Sequence, residues 1–329
     1  MTRQHPREVL LGAQAAAGLL PVCDHYSGSE ARMRKSLQLQ REMTEEFGTC
    51  VFDCTLDCED GAAAAAGGEA EHALLITELA LSAADGARVG VRVHPVSHSA
   101  FENDVTTIAR NAGQRLAYLM IPKVESVEDV VRAEAALLSV YPRGLPLHVL
   151  IESPAAVRHA FDIAAHPRVQ SLSFGLMDFV SAHAGAIPAE GMGAEGQFTH
   201  PLVVRAKLEI ASAAHAYGKV PSHSVVTEFS DAQAVRQAAR RAARQLGYTR
   251  MWSIHPNQIR PIVQAFAPDE RLLEQAASIL LQAEQASWAP IACKGVLHDR
   301  ASYRYFWQVL ERARATGCAL PAEVPGRWF

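Results

Sequence analysis

Eight short, apolar, β-rich stretches recur along the chain and are separated by longer amphipathic segments. Apolar runs of about four to eight residues between polar boundaries are typical of strands that are buried on both faces of a parallel sheet. We therefore predict eight strands, which lie within residues 18–25, 50–60, 88–94, 117–124, 147–153, 171–178, 219–226 and 251–256.

The segments between these strands have the periodicity of amphipathic helices. EAEHALLITELALSAA (69–84) and DAQAVRQAARRAARQL (231–246) place apolar residues three and four positions apart, as one face of a helix requires. Eight βα units within about 250 residues predict a (β/α)8 barrel, the TIM barrel. The alternative is an open, doubly wound α/β sheet, but no Gly-x-Gly-x-x-Gly motif follows the first strand.

The barrel accounts for most of the chain but not for its C-terminal part. We predict a catalytic barrel domain over residues 1–260 and a C-terminal helical extension over residues 261–329. The extension contains helical segments joined by SWAPIACKGVLHDR (287–300), a connection with Pro and Trp. We expect the extension to act as a lid or as an oligomerisation arm.

Composition narrows the class of function. The chain has 329 residues, of which 49% are hydrophobic, and a net charge of −4 at pH 7. This charge gives no broad basic surface for nucleic acid, and no run approaches the roughly 20 apolar residues of a membrane span. The six cysteines are too few and too scattered for a disulfide scaffold. We therefore expect a cytoplasmic protein that binds neither nucleic acid nor membrane.

Two of the predicted strands are followed directly by a carboxylate. The apolar run within LHVLIES (147–153) ends at Glu152, and the run within SLSFGLMD (171–178) ends at Asp178. The carboxyl ends of neighbouring parallel strands share one edge, so the two acids can face one small volume. Two carboxylates at such an edge suit Mg²⁺, which keeps waters and substrate as its other ligands. The alternative is that each acid only caps the helix that follows it.

Arg92 is a second candidate for chemistry, because it lies inside the apolar strand RVGVRVH (88–94). A buried arginine is costly unless it is paired with an acid or an anionic ligand. A structural ion pair with Glu59 is one explanation. Binding of a substrate carboxylate by the planar guanidinium is the other, and the two roles are compatible.

Six segments in order resemble the HpcH/HpaI aldolase/citrate lyase family, and within it the citrate lyase β-subunit (CitE-like) branch. The resemblance runs from about Gly28 to Asp299. The segments are FDCTLDCEDG (52–61), VRVHP (91–95), MIPKVES (120–126), LIESPAAV (150–157), FGLMDFVSA (174–182) and SIHPNQI (253–259). Each motif is weak alone, but six in order at barrel spacing are specific.

The resemblance implies a (β/α)8 barrel that binds a divalent metal, Mg²⁺ or another cation such as Mn²⁺. It places the metal on Glu152 and Asp178, and it makes Arg92 the residue that binds the substrate's carboxylate. Glu59 and Asp60 are implied to orient the arginine. The backbone amides of Gly175, Leu176 and Met177 are implied to contact the substrate. The last implied residue is Asp299.

Asp299 matches an acid of the family that reaches the active site of a neighbouring subunit. The resemblance therefore implies a homo-oligomer, a trimer or a hexamer, in which Asp299 is an acid/base group supplied in trans. The resemblance thus implies that the C-terminal extension supplies Asp299 to the active site of a neighbouring subunit.

The implied activity is that of a carbon–carbon lyase, an oxo-acid-lyase. It cleaves or forms a hydroxy-dicarboxylic acid or its CoA thioester, as citrate, citryl-CoA or malyl-CoA lyases do, giving a 2-oxo acid and an acetyl-type fragment. Alternatives are a thioesterase that uses the same metal site and a non-catalytic barrel that binds a keto acid. A Schiff base on Lys123 is a further, metal-independent alternative.

Two departures from the family pattern leave the substrate open. Asp24, His25 and Tyr26 precede the retained Gly28–Ser29, where relatives have a Pro-Gly-Ser turn, and Met177 replaces the carboxylate or Thr of many relatives. CoA, an acyl-carrier protein and a free acid therefore all remain possible acyl carriers.

Overall fold

Eight parallel strands close into a barrel, with each strand paired to the next in chain order and the last paired to the first. The computed structural model describes residues 5–12, 19–62 and 68–329. The strands are β1 Cys23–Ser27, β2 Phe52–Asp57, β3 Val89–Arg92, β4 Leu116–Ile121, β5 Leu147–Ile151, β6 Val169–Phe174, β7 Val220–His223 and β8 Arg250–Ser253. The predicted (β/α)8 barrel is confirmed.

Each predicted strand overlaps an observed one, and the largest shift is at the first. β1 covers Cys23–Ser27, whereas the prediction covered residues 18–25, of which residue 18 lies outside the described residues. All five residues of β1 are buried, polar ones included. The predicted range therefore lies partly before this strand, because β1 itself contains polar residues.

Helices follow the strands on the outside of the barrel. α1 Pro6–Leu11 precedes the barrel. The next are α2 Glu30–Phe47, α3 Glu69–Ser82, α4 Phe101–Asp104, α5 Arg110–Ala112, α6 Val127–Val140, α7 Pro154–Arg158, α8 Ala160–Ala165, α9 Leu176–Ser181, α10 Pro201–Ala216, α11 Ala232–Gln245 and α12 Pro256–Phe266. Shorter turns are a π-helical turn at Val105–Ala109 and 3-10 turns at Gly113–Arg115, Ala189–Met192 and Gly196–Phe198.

The inside of the barrel contains buried polar and charged side chains beside a smaller apolar cluster that includes Tyr118 and Trp252. Asp24 in β1 accepts a hydrogen bond from the Tyr118 hydroxyl in β4 at 3.0 Å, which is possible only through the interior because β1 and β4 are not neighbours. Arg250 in β8 forms ion pairs with Asp24 at 3.1 Å and Asp53 at 2.6 Å. The larger apolar core lies between the outer faces of the strands and the helices. Buried ions in the interior are stable because each is paired.

The C-terminal part folds around its own apolar cluster, which includes Leu280, Trp307 and Leu310. It consists of α13 Glu270–Gln285, α14 Arg300–Ala315, α15 Pro325–Trp328 and an antiparallel hairpin of β9 Ile291–Cys293 and β10 Val296–His298. Helix α12 packs into the barrel core up to Phe266, so the predicted boundary between residues 260 and 261 falls inside this helix. The hairpin was not predicted.

Within the described residues, none of the helices combines the length and the apolarity that a bilayer crossing requires.

Candidate active site

The candidate site lies where β2, β3, β4, β5 and β6 end. Asp57 and Arg92 are the last residues of β2 and β3 and are register partners, so they are neighbours at the same edge of the barrel. Glu152 directly follows β5, and Gly175 directly follows β6. The carboxyl-terminal edge of a (β/α)8 barrel is where such enzymes bind substrate.

Arg92 is held between two acids. Its Nε donates to Asp57 Oδ1 at 2.7 Å and its Nη2 donates to Oδ2 at 2.5 Å, while Nη1 lies 3.0 Å from Glu59 Oε2. Burial alone would lower the pKa of Arg92, but the charges of Asp57 and Glu59 outweigh it and raise the pKa. The guanidinium is therefore a fixed cation, and Asp57 takes only two of its five N–H donors.

Glu59 also joins Arg92 to Lys123. The Lys123 ammonium donates to Glu59 Oε1 at 2.5 Å and to Asp60 Oδ2 at 3.2 Å. Burial opposes the charge on Lys123, but the hydrogen bond and charge of Glu59, followed by those of Asp60, raise the pKa of the amine. A Schiff-base lysine needs a lowered pKa, so the structure argues against that role.

Asp60 differs from what the resemblance implied. Its side chain is 64% exposed and pairs with Lys123, whereas the acids that hold Arg92 are Asp57 and Glu59. The reason is geometric, because Asp57 still belongs to the strand and shares the register of Arg92, while Asp60 lies in the turn that follows.

Glu152 is a buried carboxylate in contact with main-chain atoms. Its Oε1 accepts a hydrogen bond from the Lys123 amide at 2.6 Å. Its side chain lies so close to Gly175 that a Cβ there would come 2.5 Å from Glu152 Cβ. Burial, followed by the charge of Asp178, raises the pKa of Glu152 to about 8. Two acids that repel each other in this way are poised to be neutralised by a cation.

The segment after β6 starts helix α9. Asp178 lies in the first turn of α9 and is partly exposed, and Leu176 is buried while Met177 is exposed. The amide of Gly175 donates to the Ile151 carbonyl at 3.0 Å, so of the three predicted amides only those of Leu176 and Met177 are left for a substrate.

The alternative that both acids are helix caps fails for Glu152. The N-cap of α7 is Ser153, whose hydroxyl accepts a hydrogen bond from the Ala156 amide at 3.0 Å. Asp178 does lie in the first turn of α9, where a helix dipole favours an acid. For Asp178, a structural role and a metal-binding role are compatible.

Asp299 lies at the N-terminus of α14, in the extension. Its carboxylate accepts hydrogen bonds from the amides of Ala301 and Ser302, which makes it the N-cap of that helix. The residue is exposed. The hydrogen bonds of Asp299 thus join it to its own helix and not to the rim of the same chain.

The acids of the rim suit a divalent cation of the Mg²⁺ type. Across residues 5–12, 19–62 and 68–329, no three His, Cys, Asp or Glu side chains form a group that would hold a metal without other ligands. Mg²⁺ typically takes one or two carboxylates and completes its shell with water and substrate. Glu152, whose pKa is raised by burial and then by the charge of Asp178, and Asp178 itself meet this requirement.

Comparison with known proteins identifies the family of the chain. The sequence profile of the HpcH/HpaI aldolase/citrate lyase family matches residues 37–256, two thirds of the chain and nearly all of the barrel. The chain belongs to this family. The matched residues include strands β2 to β8 but not β1.

Individual relatives of the HpcH/HpaI family are similar over most of the chain. A crystal structure of a citrate lyase from Burkholderia xenovorans LB400 is 48% identical, covers 99% of this chain and 100% of that one, and superposes with a TM-score of 0.82. An L-malyl-CoA/beta-methylmalyl-CoA lyase of Cereibacter sphaeroides is 30% identical over 68% of this chain and 76% of that protein.

A more distant structure shares the fold. CitE from Mycobacterium tuberculosis, in complex with magnesium, acetoacetate and coenzyme A, is 21% identical, covers 91% of this chain and 98% of that one, and has a TM-score of 0.66.

Sequence reasoning missed one residue at the centre of this HpcH/HpaI site. Asp57 ends β2 and holds Arg92, whereas the prediction named Glu59 and Asp60. The signal that identifies Asp57 is its strand position, because Asp57 and Arg92 both end their strands and parallel register makes them neighbours.

Proposed function

We propose that the protein is a carbon–carbon lyase that depends on a divalent metal, Mg²⁺ or a similar cation such as Mn²⁺. The observation that carries the proposal is the meeting, at one barrel rim, of an arginine held by two acids and of a buried carboxylate, Glu152, that feels the charge of the partly exposed Asp178. An anion-binding cation beside a metal-binding acid pair is the minimum that cleavage of a hydroxy acid needs.

The substrate class we propose is a hydroxy-dicarboxylic acid or its CoA thioester, which would give a 2-oxo acid and an acetyl-type fragment. The names of the similar proteins, citrate lyase and L-malyl-CoA/beta-methylmalyl-CoA lyase, support this class. Citryl-CoA and malyl-CoA are therefore the first thioesters to test.

In this proposal each residue has a stated role. Glu152 and Asp178 would hold the metal, which when bound supplies Lewis-acid stabilisation of negative charge on a substrate oxygen. Arg92 would bind the substrate carboxylate through donors that Asp57 leaves free. The amides of Leu176 and Met177 would contact the same substrate.

We further propose that the acid/base group comes from a second copy of the chain. Asp299 is exposed and lies next to the hairpin residues Val296 and Leu297, which are 57% and 73% exposed. An exposed apolar hairpin suits contact with another subunit, so we propose a trimer or hexamer in which the extension covers a neighbour's site.

All six cysteines are free thiols, which favours a cytoplasmic location.

The test is calorimetric titration of metal-stripped protein with Mg²⁺, alone and with oxaloacetate or glyoxylate. Wild type, Asp178→Ala and the control Asp162→Ala, an exposed acid on α8, are compared. We expect metal-dependent binding of the oxo acid in wild type and control and its loss in Asp178→Ala. Oxo-acid binding that ignores both metal and mutation would contradict the metal site.

Product analysis with L-malyl-CoA and citryl-CoA then identifies the reaction. Carbon–carbon cleavage yields a 2-oxo acid, whereas a thioesterase with the same metal site yields free CoA and no 2-oxo acid. Tight, metal-dependent binding with no turnover of any acyl donor would instead indicate a barrel that only binds keto acids.

A further inference from the structure

The main chain and the side chain of Lys123 touch different halves of the candidate site. Its amide donates to Glu152, on the metal side, at 2.6 Å, and its ammonium donates to Glu59, on the arginine side, at 2.5 Å. The roles proposed above for Glu152, Asp178 and Arg92 do not explain why Lys123 makes both of these contacts.

The backbone of Lys123 is unusual. Its φ of +51° lies in the left-handed region, which is unfavourable for a residue other than glycine and persists where the surroundings fix it. Pro122 and Val124 are its neighbours in the turn after β4. In this conformation the amide contacts the Glu152 carboxylate while the side chain reaches across to β2.

The side chain completes the environment of Arg92. Glu59 has only 4% of its side chain exposed, and its two oxygens contact Lys123 and Arg92, one each. If the ammonium were removed, a buried carboxylate oxygen would lose its partner, and Glu59 would be free to turn fully onto Arg92. Glu59 would then take up donors of Arg92 that a substrate needs.

We propose that Lys123 is a positioning residue for the reaction: its ammonium holds one oxygen of Glu59 so that Arg92 keeps donors free for the substrate's carboxylate. This inference rests on the proposed function, because it assigns Arg92 to substrate binding. The left-handed backbone contributes by placing the amide on Glu152 and the amine on Glu59 from a single residue.

The test separates this role from a general structural one. Lys123→Gln removes the charge and keeps the main-chain N–H, Lys123→Arg keeps a cation, and Lys123→Gly removes the charge in a residue that suits a positive φ. The control is Lys294→Gln, an exposed lysine with a φ of +49° in the β9–β10 turn. Each variant is titrated with Mg²⁺ alone and then with oxaloacetate at saturating Mg²⁺.

We expect Lys123→Gln and Lys123→Gly to bind Mg²⁺ within about threefold of wild type and oxaloacetate about tenfold or more weakly. Lys123→Arg should recover most of that affinity, and Lys294→Gln should match wild type. Unchanged oxaloacetate binding, or an equal loss of both ligands, would overturn the role of Lys123 while leaving the lyase proposal intact. Absence of oxaloacetate binding in wild type would instead remove the proposed function, and this inference with it.

Discussion

At the scale of single residues, the site depends on a cation that is buried with its acids. Asp57 is 1% exposed and bonds Arg92 through both carboxylate oxygens, and the same oxygens accept the amides of Glu59 and Gly61. Asp57→Asn keeps the shape but removes the charge, which leaves Arg92 with one acid fewer. We expect the free energy of unfolding in urea to fall by about 3 kcal/mol.

The control for Asp57→Asn is Asp85→Asn. Asp85 also pairs with an arginine, Arg115 at 2.9 Å, but its side chain is 98% exposed. Solvent screens such a pair, so its urea midpoint should not change. Equal effects of the two substitutions would show that the buried bidentate pair is not what stabilises Arg92.

Strand ends were enough to bring Arg92, Glu59, Glu152 and Asp178 to one rim, because a barrel has a single carboxyl-terminal edge. They were not enough to choose between Asp57 and Asp60. That choice depends on where β2 ends and on its register with β3, and three acids in four residues leave both undetermined in the sequence.

At the scale of elements, long apolar runs predict strands well and short exposed ones poorly. Strands β2 to β8 lie within or overlap their predicted ranges, because each is buried by helices on one face and by the barrel interior on the other. β9 and β10 have three residues each and are largely exposed, so no apolar pattern marks them. The segment after β5 forms two short helices, α7 and α8, with His159 between them.

Strands β1 and β5 each contain a buried imidazole whose charged form is disfavoured. Burial lowers the pKa of His25 in β1 to about 4, with a further contribution from His255, and lowers that of His148 in β5 to about 3. The unfolded chain, with His near 6.5, binds these protons more readily than the folded one. Each histidine should therefore cost about 2 kcal/mol of stability between pH 7.5 and pH 5.

The measurement is urea unfolding of wild type and His25→Asn at both pH values. Glu152 has the opposite slope, because its raised pKa favours the folded state at low pH, so the contribution of His25 is read from the difference between the two proteins. His159→Asn, in which a partly exposed ring is replaced, is the control. The free energy of unfolding of wild type minus that of His25→Asn should fall between pH 7.5 and pH 5. If this difference does not fall, His25 is not a buried, neutral imidazole.

At the scale of the whole molecule, the apolar pattern predicts the barrel but not how the extension is used. The extension has its own apolar cluster around Trp307, so its folding needs no substrate-binding residue. In our proposal, what it adds to the site depends on a second copy of the chain, and one sequence contains no pattern that reveals the geometry between copies.

This leads to a prediction about mixed oligomers. Asp299→Asn keeps a good helix cap but removes the acid, and Asp178→Ala removes a metal ligand, so each protein alone should be inactive in malyl-CoA or citryl-CoA cleavage. A hybrid site, with the barrel of the first variant and the extension of the second, contains both acids. After equal mixing and subunit exchange, about a quarter of the sites should be of this kind, if each site draws its two parts at random from a closed homo-oligomer.

Recovery of activity should follow subunit exchange in time, as monitored by native mass spectrometry of one isotope-labelled variant. Mixing Asp299→Asn with itself, labelled and unlabelled, controls for activation by exchange. If hybrids form and cleavage stays absent, Asp299 does not act in trans. If Asp299→Asn alone is fully active, Asp299 has no acid/base role, and its only function is the one its hydrogen bonds to Ala301 and Ser302 already indicate, the N-cap of α14.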